Sequence, residues 1–510
     1  MEKIKEKIDW KLLKIILIST LIFIVCAHGF CYTNLNFSHD SMRTYFWTRY
    51  DTVDIGRYLI PIFLIIKGKY YPPLLVGIIT YICVSIICYL LVKMFNIKRK
   101  TSIVLTTAIM ATASTLTLLN ATYIDFSDSY VFCLLLTTIG AYLWRKYKYG
   151  FIFSIGFLFL SLGIYQPYIS FFTGIVILLL IKDTIDNKKI KDIILGPKGA
   201  LQALISLIGS LGLYALSLKV ITAVTGMGLS DKYNSVQGVT SFTGIDQIID
   251  LLKGTYERVH FYITNPSTYY ASLMSILNIG LIIFTVIACI FLIKKNKTHI
   301  VNKILFIILV LLIPFALNFV YILGKGIEHQ LMIYSFFLLY IFAIMLFEDK
   351  KFIIKKNNYP QIFLVLVLSI SIFSNIIYAN QCYLKKALEF DTTLTTVNRI
   401  IDRIEQTKGY KVGETKVAIV GEFNNSQIIN SRKELDRTGV GLYPNFSLTY
   451  YGTYKVFFDN YLAYPINLVE EEELDKIKTK KEVVEMECFP YTNSIKYVDD
   501  VLVVKIADEI

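Results

Sequence analysis

Apolar runs of about 20 residues recur along most of the chain, separated by short polar stretches, and about that length is needed to span a hydrocarbon layer of ~30 Å. Runs fall at 12–32, 72–95, 102–120, 129–144, 199–224, 270–293, 304–323, 329–347 and 362–379. A further apolar region, 151–181, is long for one helix and short for two, and it contains Pro167 in the sequence GIYQPY. Proline removes a backbone donor and disfavours helix at the preceding residue. The region therefore reads as two short helices meeting at 165–168. The alternative, one tilted helix with a proline kink, breaks the charge parity described next.

Lysines and arginines cluster at alternate gaps: Lys3, Lys5, Lys7, Lys11 and Lys14 around the start, then Lys98–Lys100, Arg145–Lys148, Lys182–Lys191, Lys294–Lys297 and Lys350–Lys356. Basic clusters mark cytoplasmic ends. The pattern predicts a polytopic α-helical membrane protein of about eleven transmembrane helices, with the N-terminus cytoplasmic and the C-terminus outside. On this reading a transmembrane domain covers 1–380, with outer loops at 33–71 and 225–268, and an extracytoplasmic α/β domain covers 381–510. In the outer loop at 225–268, IDQIIDLLKGTYERVHFYI has helical apolar spacing and reads as an amphipathic helix along the membrane surface. In the C-terminal part, residues 384–407 read as a charged helix and KVAIVGEF as a buried strand. Residues 469–485 read as helical, and SIKYVDDVLVVKI as a hairpin turning at Asp499–Asp500.

Composition agrees: 55% of the 510 residues are hydrophobic and 18% charged. The net charge of +13 follows the topology of the loops, which argues against nucleic acid as a partner. The eight cysteines form no CxxC pair and meet no histidine cluster, so no metal and no cofactor is expected. Pairing of Cys382 with Cys488 is left open. GEF after the strand is not GxGxxG, which gives a dinucleotide site little support.

Between the first two apolar runs charge is concentrated in the first outer loop, TNLNFSHDSMRTYFWTRYDTVDIGRYLIP, at 33–61. It carries Asp40, Asp51, Asp54, Arg43, Arg49 and Arg57 among six aromatics, a mixture suited to the membrane interface. An aspartate at a helix centre in the bilayer costs about 2.5–3.5 kcal/mol, so these carboxylates belong outside. A solvated loop is the bland reading. The chemical one is that a carboxylate accepts the proton of an attacking hydroxyl while fixed positive charge stabilises a departing phosphate. Asp40 is the first choice for the base and Asp54 the second. Arg57, whose planar fork matches phosphate, leads Arg43 as the phosphate contact; the alternative for Arg57 is an interfacial anchor paired with Asp54. Tyr165 and Gln166 at the proline break are candidates for sugar or phosphate contacts. Asp125 and Asp128 read first as a plain outer turn, with acceptor binding as the alternative.

The uncleaved first helix, the early acidic residue, the closing GRYLIP, the SLGIYQPYIS break and the final ECFPYTNSIKYVDDVLVVKI together resemble the serotype-converting, Gtr-type glucosyltransferases. The resemblance implies a GT-C membrane glycosyltransferase that takes a hexose from a polyprenyl-phosphate donor at the outer face of the plasma membrane. The acceptor would be a cell-surface polysaccharide, and an acidic residue of the first outer loop, here Asp40, would act as base. It also implies an upstream polyprenyl-phosphate sugar synthase and a flippase in the same pathway. A basic residue is expected at the mouth of a late helix, where Lys325 and His329 both stand. The competing readings are a transporter or flippase of lipid-linked sugar, and a polysaccharide polymerase or ligase. No inverted repeat is visible, which disfavours the transporter.

Overall fold

The computed structural model describes residues 8–35, 37–38, 41–42, 52–68, 71–226, 228–229, 245–348, 359–422 and 451–508. Helices dominate. The bundle begins with α1 (Trp10–Thr33), whose first turn is capped by the Asp9 carboxylate on Leu12 N at 3.0 Å. There follow α2 (Ile60–Ile66), α3 (Pro73–Met94), α4 (Lys100–Ala111), α5 (Ser114–Lys146), α6 (Gly150–Ile164) and α7 (Ile169–Ile185). Beyond these come α8 (Ala200–Thr225), α9 (Ile245–Thr264), α10 (Ala271–Lys295), α11 (Ile300–Leu311), α12 (Leu338–Glu348) and α13 (Tyr359–Gln406).

Among the described residues seven helices are long and apolar enough to cross a membrane, not the eleven expected. Several of the expected spans are broken. The stretch 304–323 divides among α11 and two five-residue helices, Ile313–Leu317 and Phe319–Leu323, separated around Pro314 and Asn318. The 329–347 run opens as two 3-10 turns, Gln330–Met332 and Tyr334–Phe337, before α12. The acidic outer turn expected between the third and fourth spans is also corrected. The chain breaks earlier, at Thr112–Ala113, and α5 then runs for 33 residues with a kink at Tyr123 (φ −131°, ψ 54°), carrying Asp125 and Asp128 into the bundle. The proline break at 165–168 forms as expected: Tyr165 is extended and Gln166–Tyr168 is a 3-10 turn joining α6 to α7.

Helix α13 spans 48 residues. Residue 380 falls inside it, so the last long apolar run and the charged helix after it are one element. A buried polar network ties it to the bundle. The His28 Nε2–H donates to Ala111 O at 3.0 Å, which leaves Nδ1 to accept from the Tyr383 hydroxyl at 2.7 Å. Asn120 Nδ2 donates to the Tyr32 hydroxyl at 2.9 Å and takes a bond from Ser127 through Oδ1. Buried polar groups satisfied in this way fix how helices register against one another.

Beyond α13 a four-stranded sheet forms in the order β2-β1-β4-β3: β1 (Lys416–Val420), β2 (Asn467–Leu468), β3 (Ile495–Val498) and β4 (Val501–Lys505). The β3–β4 hairpin turns at Asp499, at φ 52°. Alternation sends Val417, Ile419, Leu502 and Val504 to one face and Ala418, Val420 and Val503 to the other. The second face is covered by α15 (Glu471–Lys478) and α16 (Lys481–Val484), through Leu474, Ile477 and Val483. The first face is covered by the end of α13 and by α14 (Tyr451–Lys455) with the π-turn that continues it, Val456–Tyr461. Cys382 and Cys488 are both free thiols.

Candidate active site

The segment DIGRY is shaped by its glycine. Arg57 N bonds Thr52 O at 2.8 Å and Gly56 N bonds Val53 O at 3.0 Å, the paired bonds of a Schellman turn. Gly56 takes the left-handed position at φ 79°, which a residue without Cβ occupies at no steric cost. The turn is then held from outside. Gln166 Nε2 donates to Ile55 O at 3.1 Å and to the Tyr214 hydroxyl at 2.7 Å, and that hydroxyl donates to Gly56 O at 3.0 Å. Leu59 N bonds Gly163 O at 3.0 Å, an approach that a side chain at 163 would block, since a Cβ there would lie 2.9 Å from Tyr58 and Leu59. Gln166 thus acts here as a strut for the turn.

These contacts aim Arg57 at α5 and at the proline break. Its Nη1 donates to the Tyr130 hydroxyl at 2.8 Å, and its guanidinium lies 4.8 Å from the centre of the Tyr165 ring. Tyr130 and Tyr165 stack at 4.0 Å. Among the described residues no carboxylate lies within ion-pair distance of Arg57, and its buried Nε has no hydrogen-bond partner. Asp54, three residues earlier, keeps a buried Oδ1 with no partner, so the anchor pair expected as the alternative for Arg57 does not form. Burial first and the Arg57 charge second push the His329 imidazole down to about 4. It is neutral at ordinary pH and can offer a hydrogen bond but no charge. Lys325 sits in the turn before it, at φ 49°. Next to His329, Glu328 is buried 3.9 Å from Arg258 Nε, and burial pushes its carboxyl up.

Asp125 and Asp128 are both fully buried, five and two residues before Tyr130 on α5. Asp128 Oδ1 pairs with Lys67 Nζ at 2.8 Å, and the same ammonium donates to Asp125 O at 3.1 Å. Lys67 also lies 4.3 Å from the centre of the Tyr71 ring. Sequence reasoning passed over Lys67, Tyr130 and Tyr214. For Lys67 a signal existed, an ammonium beside an apolar run; Tyr130 and Tyr214 are two tyrosines among 36, with nothing local to mark them. Asp40 and Arg43 lie outside the described residues, as do Asp51 and residues 230–244 of the second outer loop.

Between α7, α10, α11 and the 3-10 turns before α12 lies an apolar cavity of about 330 Å3. Its walls include Leu281, Cys289 and Phe306, and its polar residues include Ser267 and Gln330, the latter adjoining His329. A bundle with a cationic turn and an apolar recess suits a substrate that is part anion and part hydrocarbon.

The profile of a family described as Glucosyl transferase GtrII matches residues 29–347, well over half of the chain. The chain belongs to the GtrII glucosyl transferase family. It is therefore a glucosyltransferase of the membrane type. The GtrII match takes in the whole of the Arg57 cluster and stops before α13 and the sheet. Comparison with curated proteins and with solved structures found no significant match.

Proposed function

We propose that this GtrII-family enzyme moves a glucosyl unit from a polyprenyl-phosphate donor to a hydroxyl of a cell-surface polysaccharide. In this reading the fold is of the GT-C type and the bundle sits in the plasma membrane, with the N-terminus cytoplasmic and both the Arg57 cluster and the C-terminal sheet outside. A synthase of the lipid-phosphate sugar and a flippase act before it. The observation that carries the reading is Arg57: a guanidinium held by two stacked tyrosines, without a carboxylate partner among the described residues, in a bundle that also holds a cavity lined by hydrocarbon.

The chemistry follows from the donor. The acceptor hydroxyl gives its proton to an aspartate of the first outer loop and its oxygen attacks the anomeric carbon. The bond from that carbon to the phosphate oxygen breaks, and the electron pair leaves on the phosphate. A single displacement inverts the anomeric configuration. Asp40 is the base in this proposal and Asp54 the rival. An aspartate, with an ordinary pKa of about 3.9, is ionised at neutral pH. Arg57 meets the charge growing on the phosphate, where a fixed donor in a water-poor site counts most. His329, being neutral, donates a hydrogen bond, and the isoprenoid tail lies in the apolar cavity. The test is Asp40→Asn in cells: the protein reaches the membrane at the normal level and the surface polymer loses its glucosyl branches. Retained branches in that variant exclude Asp40, and loss in Asp54→Asn alone assigns the base to Asp54.

A further inference from the structure

The first outer loop does not end its contacts at the bundle. Phe37 and Met42, at 2% and 0% exposure, belong to the same core as Val397, Ile400, Val417 and Leu502 of the C-terminal sheet region. The Phe37 ring lies 5.1 Å from that of Phe390 on α13 and meets Tyr461 edge-on at 5.5 Å. Ser41 and Met42 open a helical turn, with Met42 N bonded to Ser38 O at 3.1 Å. It is closed by a reciprocal pair, Ser38 N to Ser41 Oγ at 2.6 Å and Ser41 N to Ser38 Oγ at 3.3 Å, a serine version of the capping box. The Ser38 hydroxyl also donates to Thr122 O, the carbonyl just before the Tyr123 kink in α5.

Residues 37–38 and 41–42 are therefore gripped from two sides, by the kinked membrane helix and by the sheet region. The second side cannot swing away, because α13 is one helix pinned in the bundle through Tyr383 and His28. The GtrII match ends at residue 347, so half of this grip is built from chain outside it.

We propose that the C-terminal region is a positioning element of the transferase: through Phe390 and Tyr461 it seats Phe37, and so fixes the start of the first outer loop for the transfer step. The proposal rests on the function given above, and it explains why an enzyme whose site lies in the bundle carries a folded module on its last helix. Phe37, Phe390 and Tyr461 are positioning residues; none is placed to touch substrate.

Two measurements on the full chain test it. In membranes, the Phe37→Cys/Tyr461→Cys pair is treated with a short bis-maleimide and the chain is then cut at a protease site inserted between Lys297 and Thr298. The two fragments are expected to stay joined, and neither single variant should hold them. Free fragments from the pair overturn the grip whatever the protein's activity. In the second measurement, synthetic glucosyl-phosphoryl-polyprenol is the donor and cell-envelope material of the expressing strain the acceptor. Phe37→Ala is expected to lower turnover about tenfold or more, since small misplacements cost up to ~10²-fold. Donor half-saturation should stay within about twofold, as expected of a loss confined to the transition state, and Phe37→Leu should recover most of the turnover. Cross-linking together with full turnover in Phe37→Ala overturns the positioning role. Cross-linking with no glucosyl transfer by the unaltered protein leaves the contact standing and removes the transferase proposal, and the positioning role with it.

Discussion

Arg57 and Lys67 lie ten residues apart in one segment, both against tyrosine rings, and they hold their charges in opposite ways. Lys67 is closed: its ammonium has the Asp128 carboxylate at 2.8 Å and a carbonyl at 3.1 Å. Arg57 is open: tyrosines hold it, and among the described residues no carboxylate neutralises it. A closed buried pair spends its charge on structure, and breaking it leaves one charge stranded. An open cation needs an anion from elsewhere, which is what a phosphate substrate brings. Within one short stretch of chain, the difference separates scaffold from proposed site.

The comparison can be broken most sharply at Lys67. Lys67→Met should destabilise the fold by about 3–5 kcal/mol, the usual cost of stranding one member of a buried pair, read as a lowered midpoint of thermal inactivation in detergent. Lys67→Met with Asp128→Leu should regain most of that loss; a double variant no better than the single one would mean that Asp128 has another task. Arg57→Ala should leave the midpoint nearly unchanged and reduce glucosyl transfer about 10²–10³-fold, the effect of removing one donor aimed at developing charge. An equal loss of stability in both variants would erase the distinction. Gln166→Ala removes the strut under the turn, a net hydrogen bond of about 1 kcal/mol, and should slow transfer several-fold without changing membrane level. The last effect concerns pH and is confined to acid conditions. His329 holds off its proton until about 4 in the folded protein, while the unfolded chain takes one up near its ordinary value of about 6.5. The unfolded state therefore binds more protons between those values, and stability must fall as pH is lowered through that window. His329→Gln should lose less stability than the unaltered protein from pH 6.5 to 4, and match its pH dependence above 7.

The helices that were legible in the sequence are those with unbroken apolar runs: α1, α3, α8 and α10 form within a few residues of the expected limits. The YQP break and the Asp499 turn were legible because proline and a hairpin turn signal themselves locally. The 329–347 run misled, since hydropathy counts apolar residues and cannot distinguish 3-10 turns from α-helix. Asp125 and Asp128 misled for a related reason. Two aspartates in an apolar stretch look like a turn until Lys67, some sixty positions away, is known to neutralise one of them. Arg57, Tyr165 and Gln166 were legible as candidates and do converge, yet the role of Gln166 depends on the Ile55 carbonyl and the Tyr214 hydroxyl, partners that no local spacing predicts.

Helix α13 has a mechanical consequence. Its 48 residues, at 1.5 Å each, make a rod of roughly 70 Å, more than twice the ~30 Å of a hydrocarbon layer. A load applied where the sheet region packs on the end of α13 is thus delivered as torque to a helix inside the bundle. Surface polysaccharides are long and are pulled about by flow and growth. If the proposed acceptor is such a polymer, its tension would run along this rod, close to the tyrosine and histidine that tie it to α1.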